Sequence, residues 1–441
     1  MRLTTRSLDS IEAQVPEYDR SATPRIVHLG VGAFARAHIG VYADDLLTGG
    51  YPATIAGVSL RDPRTERELT PQDCLYTVSE REPETATGQT ETGHTAAGGP
   101  QTRTRVIGAF TSMATGPDAA VDSILRAAAT ARTSIADASI AQASTTQAPT
   151  IQTRPSTTGD TSVDTSADTA TREISALVTL TVTEKGYEVP GGDLASPHAA
   201  RSAPGVIARA LALCRENDLR PPVIASLDNV MNNGNVLRDA VMSVAEPLDP
   251  ALPQWINENV VFPNSVVDRM VPATTDSDRD AIASAIGARD EGAVVAEHHR
   301  SWAIQMTDGL PPFDLVGAEF VRDVSDHQRR KLWLLNAPHS AVAYCGLLIG
   351  SEFIADAIEV PLVRRFTEAL IADILSRLRI CLPSWMLPGS LPSRWRDSPT
   401  LGSAIVASRS RPTDHESLPK GSTRSPKHAS RVASLSTERR W

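Results

Sequence analysis

The sequence predicts an α/β fold followed by a second, mostly α-helical domain. Three observations predict it. The run Arg25-Ile26-Val27-His28-Leu29 leads straight into Gly30-Val31-Gly32 and then a helical pattern. Further short runs of β-branched and apolar residues recur through the first 300 residues, separated by turns and helical patterns. After about residue 300 the apolar period becomes that of helices.

Each element follows in order. Residues 1–23 are polar and read as a loose lead-in. The strand at 25–29 opens a strand, Gly-x-Gly turn, helix unit. There Gly30 permits the tight turn and Gly32 lets backbone approach a pyrophosphate, so the unit reads as Rossmann-type; a plain strand-to-helix turn is the alternative. Ala35 stands where a third glycine is usual. A second strand, 53–60, ends in Arg61-Asp62, the place where such a fold meets the adenosine ribose. An acid there suits NAD and an arginine suits NADP; an exposed turn is the bland reading. Residues 80–104 read as a loop, 106–110 as a strand and 118–131 as a helix. The Thr/Ser/Ala/Asp-rich run 132–172 has too few large apolar residues to fold and reads as an insertion.

Residues 174–183 give a strong strand signal, 203–215 a helix, and 222–227 a buried strand. That last strand delivers Asp228-Asn229 at its carboxyl end, where ligands bind in open α/β sheets, or where either residue caps a helix. Asp268 and Arg269 sit among apolar neighbours in 260–272, as a site or as an ion pair near a sheet edge. The domains are thus 21–300, with the insertion at 132–172, a helical segment 301–378, and a tail 379–441. The tail carries 11 Lys+Arg against 4 Asp+Glu, shows no sustained period, and is expected not to fold.

Bulk properties narrow the function. The net charge of −9 disfavours nonspecific nucleic-acid binding. Cys74, Cys214, Cys345 and Cys381 form no CxxC or Cys/His cluster, so neither a metal site nor a disulfide framework is indicated. The first 20 residues lack a signal peptide's apolar core, and no apolar run looks long enough to span a bilayer; the expectation is a cytoplasmic protein. Oligomeric state is not readable from the sequence.

The richest stretch is Lys331-Leu332-Trp333-Leu334-Leu335-Asn336-Ala337-Pro338-His339-Ser340. Wound as an α-helix, it places Lys331, Asn336 and His339 within a sector of roughly 140°. Those groups are costly to bury without partners. They suit proton transfer, with an amine as base and an amide and imidazole as donors to a substrate oxygen; a partly buried helix start is the alternative.

Four stretches, in order and spacing, resemble the mannitol dehydrogenase family of polyol and hexuronate dehydrogenases, which includes fructuronate reductase: His28 to His38, Leu180 to Tyr187, Phe262 to Thr275, and Lys331 to Ser340. Gly57 to Arg61 and Pro71-Gln72-Asp73 lean toward the fructuronate reductase branch. The resemblance implies a Rossmann-type domain, a helical domain, an active site between them, NAD or NADP as cofactor, no catalytic metal, and a sugar acid or polyol as substrate, with no nucleic acid or membrane partner. It implies Lys331 as catalytic base, Asn229 and Asn336 as oxyanion donors, His339 as site histidine and Asp268 as a substrate contact. Gly30, Gly32, Phe34, Arg36 and Asp62 are the implied cofactor contacts. The family usually has histidine at Ala35 and glycine at Ala337, and Pro338 is unusual for it. No family counterpart is visible in 379–441, so a catalytically impaired remnant that keeps nucleotide binding is the competing expectation.

Overall fold

The computed structural model describes residues 1–81, 102–131 and 174–377. The insertion and the tail expected from the sequence, and most of the loop at 80–104, lie outside the described residues.

Strands β1 (Ile26–Leu29), β2 (Ile55–Ser59), β3 (Tyr76–Arg81), β4 (Thr102–Ile107), β5 (Phe110–Thr115), β6 (Leu177–Leu180) and β7 (Val223–Ser226) come first. β8 (Ser265–Asp268), β9 (Val294–Glu297), β10 (Ser301–Gln305) and β11 (Glu319–Val321) follow. A parallel five-stranded sheet runs β5-β2-β1-β6-β7. Among its own strands this is the order 3-2-1-4-5, the doubly wound arrangement, whose direction reverses between β1 and β6. β1 is buried on both faces: Ile26 packs into one apolar cluster, Val27 and Leu29 into another. The second cluster holds the helices Pro117–Thr130, Ala203–Glu216 and Asn233–Leu248 against the sheet. That two-sided burial is why the strand reads as an unbroken apolar run.

Two small sheets flank this one, β4-β3-β9 and β11-β10-β8. They change three sequence-based expectations. The strand expected at 106–110 is two strands: β4 pairs antiparallel with β3, and β5 pairs parallel with β2, with Gly108 between them. Residues 301–321 hold no α-helix, only a 3-10 turn at Phe313–Val316. β10 pairs with β8 and β11 with β10, so sheet structure continues past the expected boundary at 300. The lead-in 1–23 is not loose either. Leu3 is fully buried beside Leu75, Val106, Ile282 and Ile286, and Leu3 N donates to Arg289 O (2.9 Å). Leu8, Ile11 and Val15, scattered through a polar stretch, pack against the same cluster and help close it. Leu3→Ala is expected to lower stability by roughly 3 kcal/mol, read as a shifted urea midpoint at unchanged slope.

Helix begins in earnest at Ser325. Ser325–Arg329 runs into a π-helical segment, Arg330–Asn336, and then the α-helix Ala337–Ile349, which ends at Gly350 with φ 76°. An 18-residue window within these 25 residues has a mean hydropathy of 1.3, so by length and composition alone this helix is long and apolar enough to cross a bilayer, where the sequence led to the expectation of no such run. The helices Ile354–Glu359 and Pro361–Arg377 pack on it through Val342, Ala357, Ile358 and Val363. Tyr344, Leu347, Leu348, Leu362 and Phe366 stay exposed.

Candidate active site

Two centres lie at the carboxyl ends of the parallel strands. The first is a cleft of about 800 Å³ at the point where strand order reverses, with Gly30 from β1 and Thr181, Val182 and Thr183 from beyond β6 along its walls. Gly30 has φ +90°, and a Cβ there would stand 2.3 Å from Thr181 O. Only glycine fits. Thr181 Oγ1 donates to Gly30 O (2.8 Å) and lies 3.0 Å from His28 Nε2, while His28 Nδ1 lies 2.8 Å from Thr179 Oγ1. Burial pushes His28 down to about 3, so it holds the turn as a neutral ring. A Cβ on Gly32, by contrast, would meet nothing within 4 Å.

Arg36 and Asp62 also line the cleft. Arg36 Nη1 donates to Gly292 O (3.0 Å), while its Nε is buried without a partner among the described residues. Asp62 is exposed, accepts from Arg64 N (2.9 Å) and pairs with the Arg64 guanidinium at 3.5 Å; Arg61 lines the same rim. Phe34 is not on the cleft wall. Its ring stacks on His38, centroids 5.1 Å apart and planes 12° from parallel.

The second centre is Lys331, whose side chain is 10% exposed. Its ammonium donates to Asn229 Oδ1 (2.6 Å) and to Val267 O, and stands 3.3 Å from Asp268 Oδ1. Burial lowers its pKa from the ordinary lysine value, and Asp268 opposes that shift. Because Lys331 occupies the oxygen of Asn229, the amide nitrogen is left as a donor. Asp268 and Arg269 do not pair as the sequence alternative had it. Successive residues point to opposite sides, and Arg269 turns into the core, bonding Glu80 Oε1 (2.5 Å), Glu297 O (3.0 Å) and Ala37 O.

The π-helical segment changes how the rest of the stretch faces. Ala337 N donates to Leu332 O, five residues back. A π turn takes about one residue more than an α turn, roughly 80° per residue. Lys331, Asn336 and His339 then fall within about 60° of one another, not 140°. Pro338 fits this local winding: its ring crowds the carbonyl four residues back in an α-helix, and the wider turn before it leaves room. The Asn336 side chain makes no hydrogen bond among the described residues, and His339 Nε2 is buried without a partner there.

Sequence reasoning missed Gln328. Buried one helical turn before Lys331, it donates to Ser265 O (2.9 Å) and accepts from Asn232 N (3.2 Å). It thereby ties the lysine's helix to both segments that supply the lysine's partners. Its position three residues before Lys331 was the available signal.

The first domain matches the model of the mannitol dehydrogenase Rossmann domain over residues 24–312, and residues 323–380 match the mannitol dehydrogenase C-terminal domain. Among curated relatives, an uncharacterized oxidoreductase of Escherichia coli (strain K12) is 33% identical over 80% of this chain and 64% of its own length. The D-mannonate oxidoreductase of the same organism is 34% identical over 83% and 68%. Mannitol 2-dehydrogenase of Aspergillus terreus is 31% identical over 85% and 69%. A solved structure of Pseudomonas fluorescens mannitol 2-dehydrogenase, a ternary complex with NAD and D-mannitol, superposes with a TM-score of 0.69 at 26% identity, covering 92% of this chain and 74% of that one. The chain spans about two thirds of the length of the curated relatives it matches. With matched domains over most of its described residues and more than 30% identity to several members, the chain belongs to the mannitol dehydrogenase family.

Proposed function

We propose that this protein is an NAD(P)-dependent oxidoreductase that interconverts a sugar ketone and its secondary alcohol, fructuronate with mannonate or fructose with mannitol. Lys331 moves the proton and no metal is needed. The observation that carries this reading is the nearly buried amine of Lys331 held by Asn229, Asp268 and the Val267 carbonyl.

A dinucleotide fits the cleft on this chain's own features: a turn that admits only glycine at Gly30, open space at Gly32, and the unpartnered Nε of Arg36 on the wall. When bound, nicotinamide accepts or donates the hydride. Asp62 at the rim favours NAD, since a carboxylate there suits ribose hydroxyls and repels a 2′-phosphate. In the oxidising direction, neutral Lys331 takes the hydroxyl proton; in the reducing direction, its ammonium returns one to the developing alkoxide. The amides of Asn229 and Asn336 stabilise that oxygen, at about 3 kcal/mol per well-aimed donor. His339 adds a third donor, and Asp268 holds the amine and a sugar hydroxyl.

The test is loss of absorbance at the reduced-nicotinamide band on mixing the protein with NADH or NADPH and either fructuronate or fructose. Loss with fructuronate, absent in Lys331→Ala, supports the reading. Unchanged absorbance with every pair overturns it. The exposed apolar residues Tyr344, Leu347, Leu348 and Leu362 favour a second reading, a protein impaired in turnover that retains nucleotide. NADH fluorescence without ketone-dependent oxidation is its signature.

The charge on Lys331 gives a signed pH prediction. Asp268 raises the lysine pKa against the lowering by burial, so Asp268→Asn lets it fall further. Oxidation needs the neutral amine, so its rising limb moves to lower pH in the variant. The falling limb of ketone reduction moves the same way. A kcat profile whose limb stays put, or moves up, sinks the assigned pairing.

A further inference from the structure

The cleft wall contains a backbone outlier. Thr183, a β-branched residue, has φ 66° and ψ 168°. L side chains rarely adopt that conformation, and β-branched ones least of all. What holds it is the carboxylate of Asp228. Asp228 Oδ1 accepts from Thr183 N (3.1 Å), and Oδ2 accepts from Val182 N (3.1 Å) and from the Tyr187 hydroxyl (2.9 Å). The other end of the arrangement is equally fixed. Tyr187 Oη bonds Ser226 Oγ, Asp228 N donates to that same Oγ (3.2 Å), and the buried Asn233 amide donates to Asp228 O (3.1 Å). The next residue is Asn229, the partner of Lys331. One carboxylate therefore joins a strained wall of the cleft to the loop that holds the amine.

We propose that Asp228 is a positioning residue that holds Thr183 in its left-handed backbone state and so shapes the nucleotide cleft, with Asn229 and the amine of Lys331 set by the same tie. This rests on the dinucleotide reading of the cleft. The chemistry explains why an acid is needed: two adjacent amide N–H groups and a hydroxyl converge on two oxygens, and an asparagine offers only one acceptor oxygen. Its NH₂ group would face a donor, and one end of the 182–183 turn would be released.

The test is NADH binding by fluorescence, which needs no turnover. Asp228→Asn is expected to weaken NADH about tenfold. Thr183→Gly alone sets the baseline for the double variant: it trims a side chain from the cleft wall, and glycine adopts the same backbone without a carboxylate to hold it there. The double variant Asp228→Asn/Thr183→Gly should recover most of the lost affinity. A purely structural Asp228 would give a lower melting temperature that Thr183→Gly does not repair, and no such recovery. If Asp228→Asn does not fold, Tyr187→Phe, which removes one bond to the carboxylate and keeps both amides, carries the same comparison with a loss of about threefold. Unchanged binding in the single variant, or no recovery in the double, overturns the proposal. Wild-type protein that fails to bind NADH overturns the dinucleotide reading instead, so the two failures are distinguishable.

Discussion

Lys331→Ala lowers kcat by about 10³-fold in both directions, while NADH affinity stays within about twofold of wild type. The size follows from the chemistry. Removing the group that exchanges the alcohol proton leaves water to do it, and a positioned acid or base is generally worth 10²- to 10⁴-fold. The selectivity follows from the layout. Lys331 touches Asn229, Val267 and Asp268, whereas the cleft walls are built from Gly30, Gly32, Asp62 and 181–183. The loss includes an indirect part, since Asn229 and Asp268 lose the ammonium they share. Lys331→Arg does not rescue: a guanidinium stays charged and cannot serve as base. Steady-state rates and fluorescence titration of the same preparations check this. A variant that keeps a tenth of wild-type kcat would move the base to another residue.

Gly30→Ala has the second large effect. The added methyl carries two penalties, a left-handed φ of +90° and an approach of 2.3 Å to the backbone oxygen of Thr181. The oxygen cannot yield easily, because Thr181 N donates to Leu29 O and its side chain donates to Gly30 O. The expected destabilisation is roughly 3 kcal/mol or more, with NADH binding lost as the turn opens. Gly32→Ala is the control. Its Cβ meets open space and its φ is −98°, so the melting temperature holds while NADH affinity falls. If both variants melt alike and bind alike, the turn does not form the cleft.

Legibility in the sequence followed burial. β1, β2, β6 and β7 are buried throughout, so their apolar runs announce themselves. β4 reads Thr-Arg-Thr-Arg-Val-Ile and exposes its first half, so its strand character depends on pairing with β3 and leaves little apolar pattern. β10 and β11 are five and three residues long and depend on pairing, β10 with β8, a partner distant in sequence, and β11 with β10. At the site, Lys331, Asn229 and Asp268 were legible as residue types at strand ends and in an apolar helix. Their mutual contact was not, because it depends on where separate segments converge. Gln328 was invisible for the same reason, and the direction of Arg269 depended on a strand phase the sequence left open.

The wide turn at Arg330–Asn336 makes chain length a constrained quantity in that segment. Side chains there can change without disturbing the winding, but the number of residues between Lys331 and Asn336 sets their relative direction. Adding one residue would turn everything beyond it by about a quarter of a turn and carry Asn336 to roughly 120° from Lys331, off the amine's side of the helix. Across relatives of this chain, the interval between these three residues should therefore be kept even where the intervening letters are not.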